Sequence, residues 1–175
     1  MSAAEPSARR RLLVAAWAAG ASAGAALPLF ALAAPAAKGE PVAWPEVRLL
    51  DGSPMPAPSA SGKAAVVVFF STTCPFCARH NQHVQALLRQ TSGLPLQVLG
   101  VAQDKDPQAV RRYLSARGHG FAVTLADKEL HEALSARRVI PLTCVIDRHG
   151  RLREVIPGEM FAEDVLELAR WAREA

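Results

Sequence analysis

Residues 64–70, AAVVVFF, are seven consecutive apolar positions rich in β-branched and aromatic side chains. A half-buried strand would alternate and a surface helix would repeat every three to four residues, so neither explains the run. It fits a strand covered on both faces of a sheet, the kind found where helices pack above and below. That requirement points the chain toward an α/β architecture. The run ends directly in STTCPFCARH (71–80), which places Cys74 and Cys77 three positions apart where the next element begins.

The remaining pattern alternates between the two periods. A helix is expected from about Cys74 to Arg89, with Cys77, Val84, Leu87 and Leu88 at helical spacing. LQVLGVA (96–102) reads as a second core strand. Asp106 and Pro107 supply an N-cap and a first-turn proline for a helix that ends at Gly118. FAVTL (121–125) is strand-like, and Asp127 is expected to cap a helix over residues 128–138. LTCVID (142–147) and RLREVI (151–156) form a hairpin around His149 and Gly150. AEDVLELARWAREA (162–175) closes the chain as an amphipathic helix, acidic early and basic late as the helix dipole prefers. Upstream, residues 47–50 followed by Asp51-Gly52 read as a short strand and turn, one arm of a hairpin. The rest of residues 38–62 is rich in Pro, Ala, Ser and Gly and reads as linker or surface meander.

Residues 1–37 have the form of a targeting segment. Arg9, Arg10 and Arg11 precede an uncharged, Ala-rich stretch from Leu12 to Ala37. Ala31-Leu32-Ala33 and Ala34-Pro35-Ala36 each offer a small-residue cleavage pattern, and the arginines resemble a twin-arginine export signal. A Sec signal, an uncleaved N-terminal membrane anchor and a buried core helix are the competing readings. Pro28 and Pro35, which would shorten a straight helix, favour cleavage. With a signal or an anchor, the domain over residues 63–175 is expected outside the cytoplasm, in the periplasm, where disulfides persist. The pI of about 9.3 does not imply a nucleic-acid partner. Beyond residue 37 the chain has 17 basic and 15 acidic residues, with no basic run longer than Arg111-Arg112 or Arg137-Arg138.

Two cysteines at this spacing serve redox chemistry, a soft metal or a structural bridge. At the first turn of a helix, the Cys74 sulfur meets unsatisfied N–H groups and the positive end of the dipole, which favour thiolate over thiol. Cys77 lies one turn deeper, close enough to close a disulfide and more shielded. Pro75 has no N–H to leave unpaired there. A zinc site would want two further ligands at recognisable spacing, and no second Cys-x-x-Cys is present. A bridge spanning two residues closes too small a loop to stabilise much. A copper-binding chaperone using both thiols with His80 or His83 stays open. The pattern favours a nucleophilic and a resolving thiol. Cys144, in a predicted core strand, reads as an inert packed thiol, with a third redox thiol or an intermolecular bridge as alternatives.

Strand, Cys-x-x-Cys and helix, followed by RRVIPLTCVIDRHGRL, together resemble the thioredoxin family. More narrowly, the chain is similar to the TlpA/ResA-like group of exported thiol–disulfide oxidoreductases. The likeness spans about residues 45–174 and includes LLDGSP and GVAQDKDPQAVRRYL. It implies a thioredoxin fold: a central mixed sheet flanked by helices, with an N-terminal strand or hairpin extension. It also implies that Cys74 attacks and Cys77 resolves, that Thr73, Pro75 and Phe76 tune the pair, and that no bound cofactor is needed beyond the Cys74–Cys77 disulfide. The Ile140–Pro141 bond is implied to be cis, exposing the Ile140 backbone to an extended protein substrate. Protein thiols and disulfides would be the partners, with a membrane-bound electron donor and a client such as an apocytochrome or metalloenzyme precursor.

The chain departs from that family at several positions. Thr73 stands where Trp is common, Val68 falls near the place of thioredoxin's buried acid, and His80 replaces a Glu found in some members. His80 is a candidate proton shuttle for Cys77, against the plainer reading of a solvated helix histidine. His83, His119, His131 and His149 read as surface residues. Pro75-Phe76 also resembles glutaredoxins, and DsbA-like oxidants share the proline. Ile140 resembles thioredoxin at that position and favours a reductase over a disulfide-forming oxidant. A peroxiredoxin-type peroxidase would need Pro at Val67, although Ser71 fits its hydroxyl position.

Overall fold

A computed structural model describes residues 34–173. The targeting segment expected over residues 1–37 lies outside the described residues apart from its last four positions. All described residues belong to one compact unit. Among them no helix is long and apolar enough to cross a membrane.

The strands are β1 (Val47–Arg48), β2 (Pro54–Met55), β3 (Ala64–Phe70), β4 (Leu96–Ala102), β5 (Ala122–Thr124), β6 (Leu142–Ile146) and β7 (Leu152–Pro157). The helices are α1 (Pro58–Ser61), α2 (Pro75–Gln90), α3 (Pro107–Arg117), α4 (Asp127–Leu134) and α5 (Ala162–Glu167), the last running into a 3-10 turn at Leu168–Ala172. β1 and β2 form the expected hairpin. The other five strands form one mixed sheet in the order β5-β4-β3-β6-β7, with β4 parallel to β3 and β5, and β6 antiparallel to β3 and β7.

The apolar run 64–70 is this central strand, and every one of its residues is fully buried. Its alternating side chains divide the core in two. Val66, Val68 and Phe70 face one way, into a cluster with Cys77, Val84 and Leu87 of α2, Val110 and Tyr113 of α3, and Val165 of α5. Ala65, Val67 and Phe69 face the other, with Leu130 and Leu134 of α4.

The N-terminal segment runs along the sheet as a surface meander, one of the two readings its composition left open. Gly39 and Val42 donate to the Leu152 and Gly150 carbonyls, and Leu152 donates to Glu40, at the start of β7. Farther on, Leu49 bridges Thr124 and Leu50 donates to Val123, against β5. In between, Val42, Trp44 and the buried Val47 pack on the α4 side of the core. One segment thus covers parts of both sheet edges, whose unpaired backbone groups would otherwise be open. The Pro/Ala/Ser/Gly composition concealed this, because it reports local preference and these hydrogen bonds reach far along the chain.

Helix boundaries differ from the sequence reading at α4 and at α5, where the helix expected over 162–175 is α-helical only over Ala162–Glu167 before tightening to the 3-10 turn. α4 stops at Leu134 rather than residue 138, and Ser135 is extended at φ −165°. Residues 136–139 are exposed, so nothing repays continuing a helix there. Ala126, not Asp127, occupies the N-cap of α4, and the Asp127 carboxylate lies 3.2 Å from His131 Nε2 inside the helix.

Candidate active site

β3 delivers the chain to residues 71–73, and α2 begins at once. Cys74 is its N-cap, with extended backbone at φ −85° and ψ 116°, and Pro75 follows at the first helical position. The Cys74 sulfur accepts the N–H of Cys77 at 3.2 Å and so acts as the capping group itself. Cys74 is half-buried, Cys77 is fully buried, and all three cysteines are thiols in this structure. Burial pushes the Cys77 thiol up to about 12, helped by its hydrogen bond with Cys74. One sulfur therefore faces the surface at a helix N-terminus, and a protonated one waits a turn behind it.

The loop ahead of Cys74 is held by a residue not singled out from the sequence. The Thr72 N–H and hydroxyl donate to the two carboxylate oxygens of Asp104 at 3.0 and 2.5 Å. Asp104 follows β4, whose last residue Ala102 pairs with Phe70 in parallel register, and Gln103 donates to the Phe70 carbonyl. Thr72 and Asp104 are 32 positions apart, so only strand pairing reveals the clamp. Thr73 is exposed, and its hydroxyl lies 3.1 Å from Ser71 Oγ.

Phe76 is 55% exposed, with the Arg79 guanidinium 5.0 Å over its ring. Arg79 in turn donates twice to Glu159, at 2.7 and 2.6 Å. The Ile140–Pro141 bond is cis. Leu142 opens β6 opposite Phe69, so Ile140 and Pro141 lie at the same end of the sheet as the cysteine loop. Ile140 and Cys74 pack against the same core cluster. Val139, beside them, is 51% exposed.

His80 is not a solvated helix histidine. It is fully buried, its Nδ1 accepts the Met160 N–H at 3.3 Å, and its Nε2 lies 3.0 Å from Thr143 Oγ1. An accepting Nδ1 leaves the proton on Nε2, which donates to Thr143. Both nitrogens are thus engaged away from sulfur, and burial drives the ring down to about 4, with His83 adding and Glu159 opposing. Above its ordinary 6.5 the ring is neutral folded or unfolded; between 6.5 and about 4 only the unfolded chain takes the proton. Stability is therefore expected to fall as pH drops through that window, by on the order of 3 kcal/mol for this ring. His119 and His131, both lowered chiefly by burial, act in the same sense. Urea midpoints between pH 7.5 and 4 measure the slope; a His80→Gln variant should flatten it, and an unchanged slope would remove His80 as its source.

The other histidines split. His149 is exposed as expected, and His83 is half-buried. His119 and His131 are buried, against the surface reading. His131 stacks 3.9 Å from the Phe69 ring, and His119 lies between Tyr113 and Phe121. Helical phase carried the missed signal for His80, which shares a face with Cys77, Val84 and Leu87. Cys144 is fully buried between Val67 and Val155, and burial pushes its thiol to about 12. Val67, where a peroxiredoxin would carry proline, pairs with both Leu99 and Cys144. Among the described residues no three His, Cys, Asp or Glu side chains gather as metal ligands, and His80 has no free nitrogen to offer.

A family model described as Redoxin matches residues 23–169. Thiol-disulfide oxidoreductase ResA of Halalkalibacterium halodurans is 26% identical over 126 residues, covering 69% of this chain and 70% of that one. The crystal structure of a thiol:disulfide interchange protein of the thioredoxin family from Chlorobium tepidum TLS superposes with a TM-score of 0.68 at 26% identity, covering 78% of this chain and 97% of that one. The structure of StoA from Bacillus subtilis shares the fold at 19% identity, with a TM-score of 0.60 over 70% of this chain and 93% of that one.

Proposed function

The chain belongs to the Redoxin family, as a TlpA/ResA-like thiol–disulfide oxidoreductase of the thioredoxin superfamily, and from that premise we propose that Cys74 and Cys77 are its reacting pair and that it reduces protein disulfides outside the cytoplasm. The observation that carries the site assignment is the half-buried Cys74 sulfur, capping α2 and accepting the N–H of a buried Cys77.

Cys74 attacks a substrate disulfide as the thiolate. The substrate S–S bond breaks, one substrate sulfur leaves and takes up a proton, and the other stays bonded to Cys74. Cys77 then loses its proton and attacks the Cys74 sulfur. The second substrate sulfur departs, and the Cys74–Cys77 disulfide holds the oxidation state. Two electrons have passed to the substrate, with no bound cofactor, and a membrane-bound donor would return two. Ile140 and Pro141 would shape the groove for an extended substrate, with Thr73, Pro75 and Phe76 around the reacting sulfur. Export draws support from Arg9–Arg11 and the uncharged stretch behind them, which would deliver or tether the domain on the periplasmic side.

The test is the reduction potential of the pair, equilibrated in metal-free thiol buffers. A reductase should fall at about −270 mV, as thioredoxin does, and an oxidant at about −120 mV, as DsbA does. A value at the oxidant end would reverse the direction proposed. No reversible two-electron transition would remove the reacting pair altogether.

A further inference from the structure

If Cys77 is the resolving thiol, as proposed above, it must lose a proton while fully buried. The obvious acceptors are not there. Val68 puts a methyl-bearing side chain into the same core cluster, and both His80 nitrogens are committed to Thr143 and Met160. What lies one helical turn beyond Cys77 on its own face is Asn81, which is also fully buried.

Asn81 Nδ2 donates to the Tyr113 hydroxyl at 3.1 Å, while Asn81 Oδ1 has no partner. Tyr113 comes from α3, is almost wholly buried, and packs its ring 5.7 Å from that of His119. Both nitrogens of His119, itself 9% exposed, are also without partners. Among the described residues four buried side-chain polar atoms lack a hydrogen bond, and three of them belong to the two residues flanking Tyr113. Buried polar groups are normally satisfied, and where protein supplies no partner ordered water does. Cys77 and Tyr113 belong to the same core cluster. Burial raises the Tyr113 phenol, Asn81 and Arg117 oppose this, and the two cysteines raise it further.

We propose that Asn81, Tyr113 and His119 line a hydrated proton path from the back of Cys77 to the surface at the α3–β5 connection. During resolution the Cys77 S–H bond breaks and its electron pair forms the bond to Cys74. The bond between Cys74 and the substrate breaks, and the substrate sulfur leaves as thiolate. The Cys77 proton passes to water held at Asn81 Oδ1, exchanges through the Tyr113 hydroxyl, and reaches solvent past His119, while the departing thiolate is protonated from bulk. Asn81, Tyr113 and His119 are positioning residues, since none of them touches substrate. The charged groups near the exit are Arg117, 5.2 Å over the Tyr113 ring, and Arg89.

The experiment uses the reduced full chain and one equivalent of 5,5′-dithiobis(2-nitrobenzoate) in a stopped-flow mixer. The first release of nitrothiobenzoate reports attack by Cys74, and the second reports resolution by Cys77. Asn81→Leu should slow the second release by about 100-fold and Tyr113→Phe by about tenfold, with the first within twofold of the parent. His119→Phe should slow it in the same sense. The slowed rates should rise about tenfold per pH unit as hydroxide replaces the path, and Asn81→Asp should restore the rate. A loss of packing alone would not be rescued by Asn81→Asp, whereas the rise with pH is shared by any attack through the Cys77 thiolate. Tyr113→Phe removes a single oxygen and keeps the test open if leucine at position 81 disturbs folding. Second releases within twofold of the parent in Tyr113→Phe and His119→Phe would overturn the path. A parent that gives the first release without the second would instead overturn Cys77 as the resolving thiol.

Discussion

Replacing Cys77 with serine is expected to stop the reaction at the mixed disulfide. Cys74 keeps its half-buried position at the start of α2, so the first exchange with substrate still occurs. The sulfur that would release the substrate is then missing. Well-oriented intramolecular attack reaches effective molarities of about 10⁵ M or more, so millimolar external thiol replaces it poorly and release slows by at least about a thousandfold. Covalent adducts should accumulate on a non-reducing gel and disappear on adding dithiothreitol. Cys74→Ser should give no adducts at all. Cys144→Ala, which empties a fully buried site between β3 and β7, should leave the adducts of the Cys77→Ser protein in place. Undiminished turnover by Cys77→Ser would mean that another group resolves the intermediate.

The largest stability loss from a single truncation is expected at Phe70. This last residue of β3 is fully buried, with its ring 5.8 Å from that of Tyr113 and edge-on to Phe121 at 6.4 Å. Gly100 on the neighbouring strand is small for the same reason: a Cβ there would come within 2.9 Å of the Phe121 ring and 3.0 Å of the Phe70 ring. Phe70→Ala removes the transfer energy of the ring, leaves a cavity and breaks both aromatic pairs, for a total of about 3–5 kcal/mol. Denaturant unfolding at neutral pH measures it. A loss under about 1.5 kcal/mol would show that the surrounding rings collapse into the space. Because the Phe70 carbonyl also accepts from Gln103, next to the Asp104 clamp, the variant should loosen the cysteine loop, visible as faster alkylation of Cys77.

Much of this arrangement is legible in the sequence because it is local. Seven apolar residues in a row require cover on both faces, and Cys74-Pro75 places a capping sulfur and a first-turn proline whatever the rest of the chain does. The contacts of the N-terminal segment are not legible, since proline and glycine describe its turns and not the sheet edges it covers. Residue type alone does not place His80, His119 and His131, which are buried. His80 and Asn81 share the phase of Cys77, Val84 and Leu87, and that phase decides burial on a helix. Only the partners make such burial tolerable, and those partners come from β6, α3 and the chain before α5.

By itself the sequence determined the central strand, the helix that follows it, the placement of Cys74 ahead of Cys77, and the hairpin and helix that end the chain, because each rests on hydrophobic period, capping or turn chemistry within a few residues. Tertiary structure alone decided that Asp104 holds the loop, that His80 is neutral and fully engaged, and that the unpaired atoms of Asn81 and His119 gather around Tyr113 behind the cysteines. Those contacts join residues 32 to 80 positions apart, or neighbours whose burial depends on such contacts, and their energies are set by desolvation and hydrogen-bond completion that no local pattern encodes.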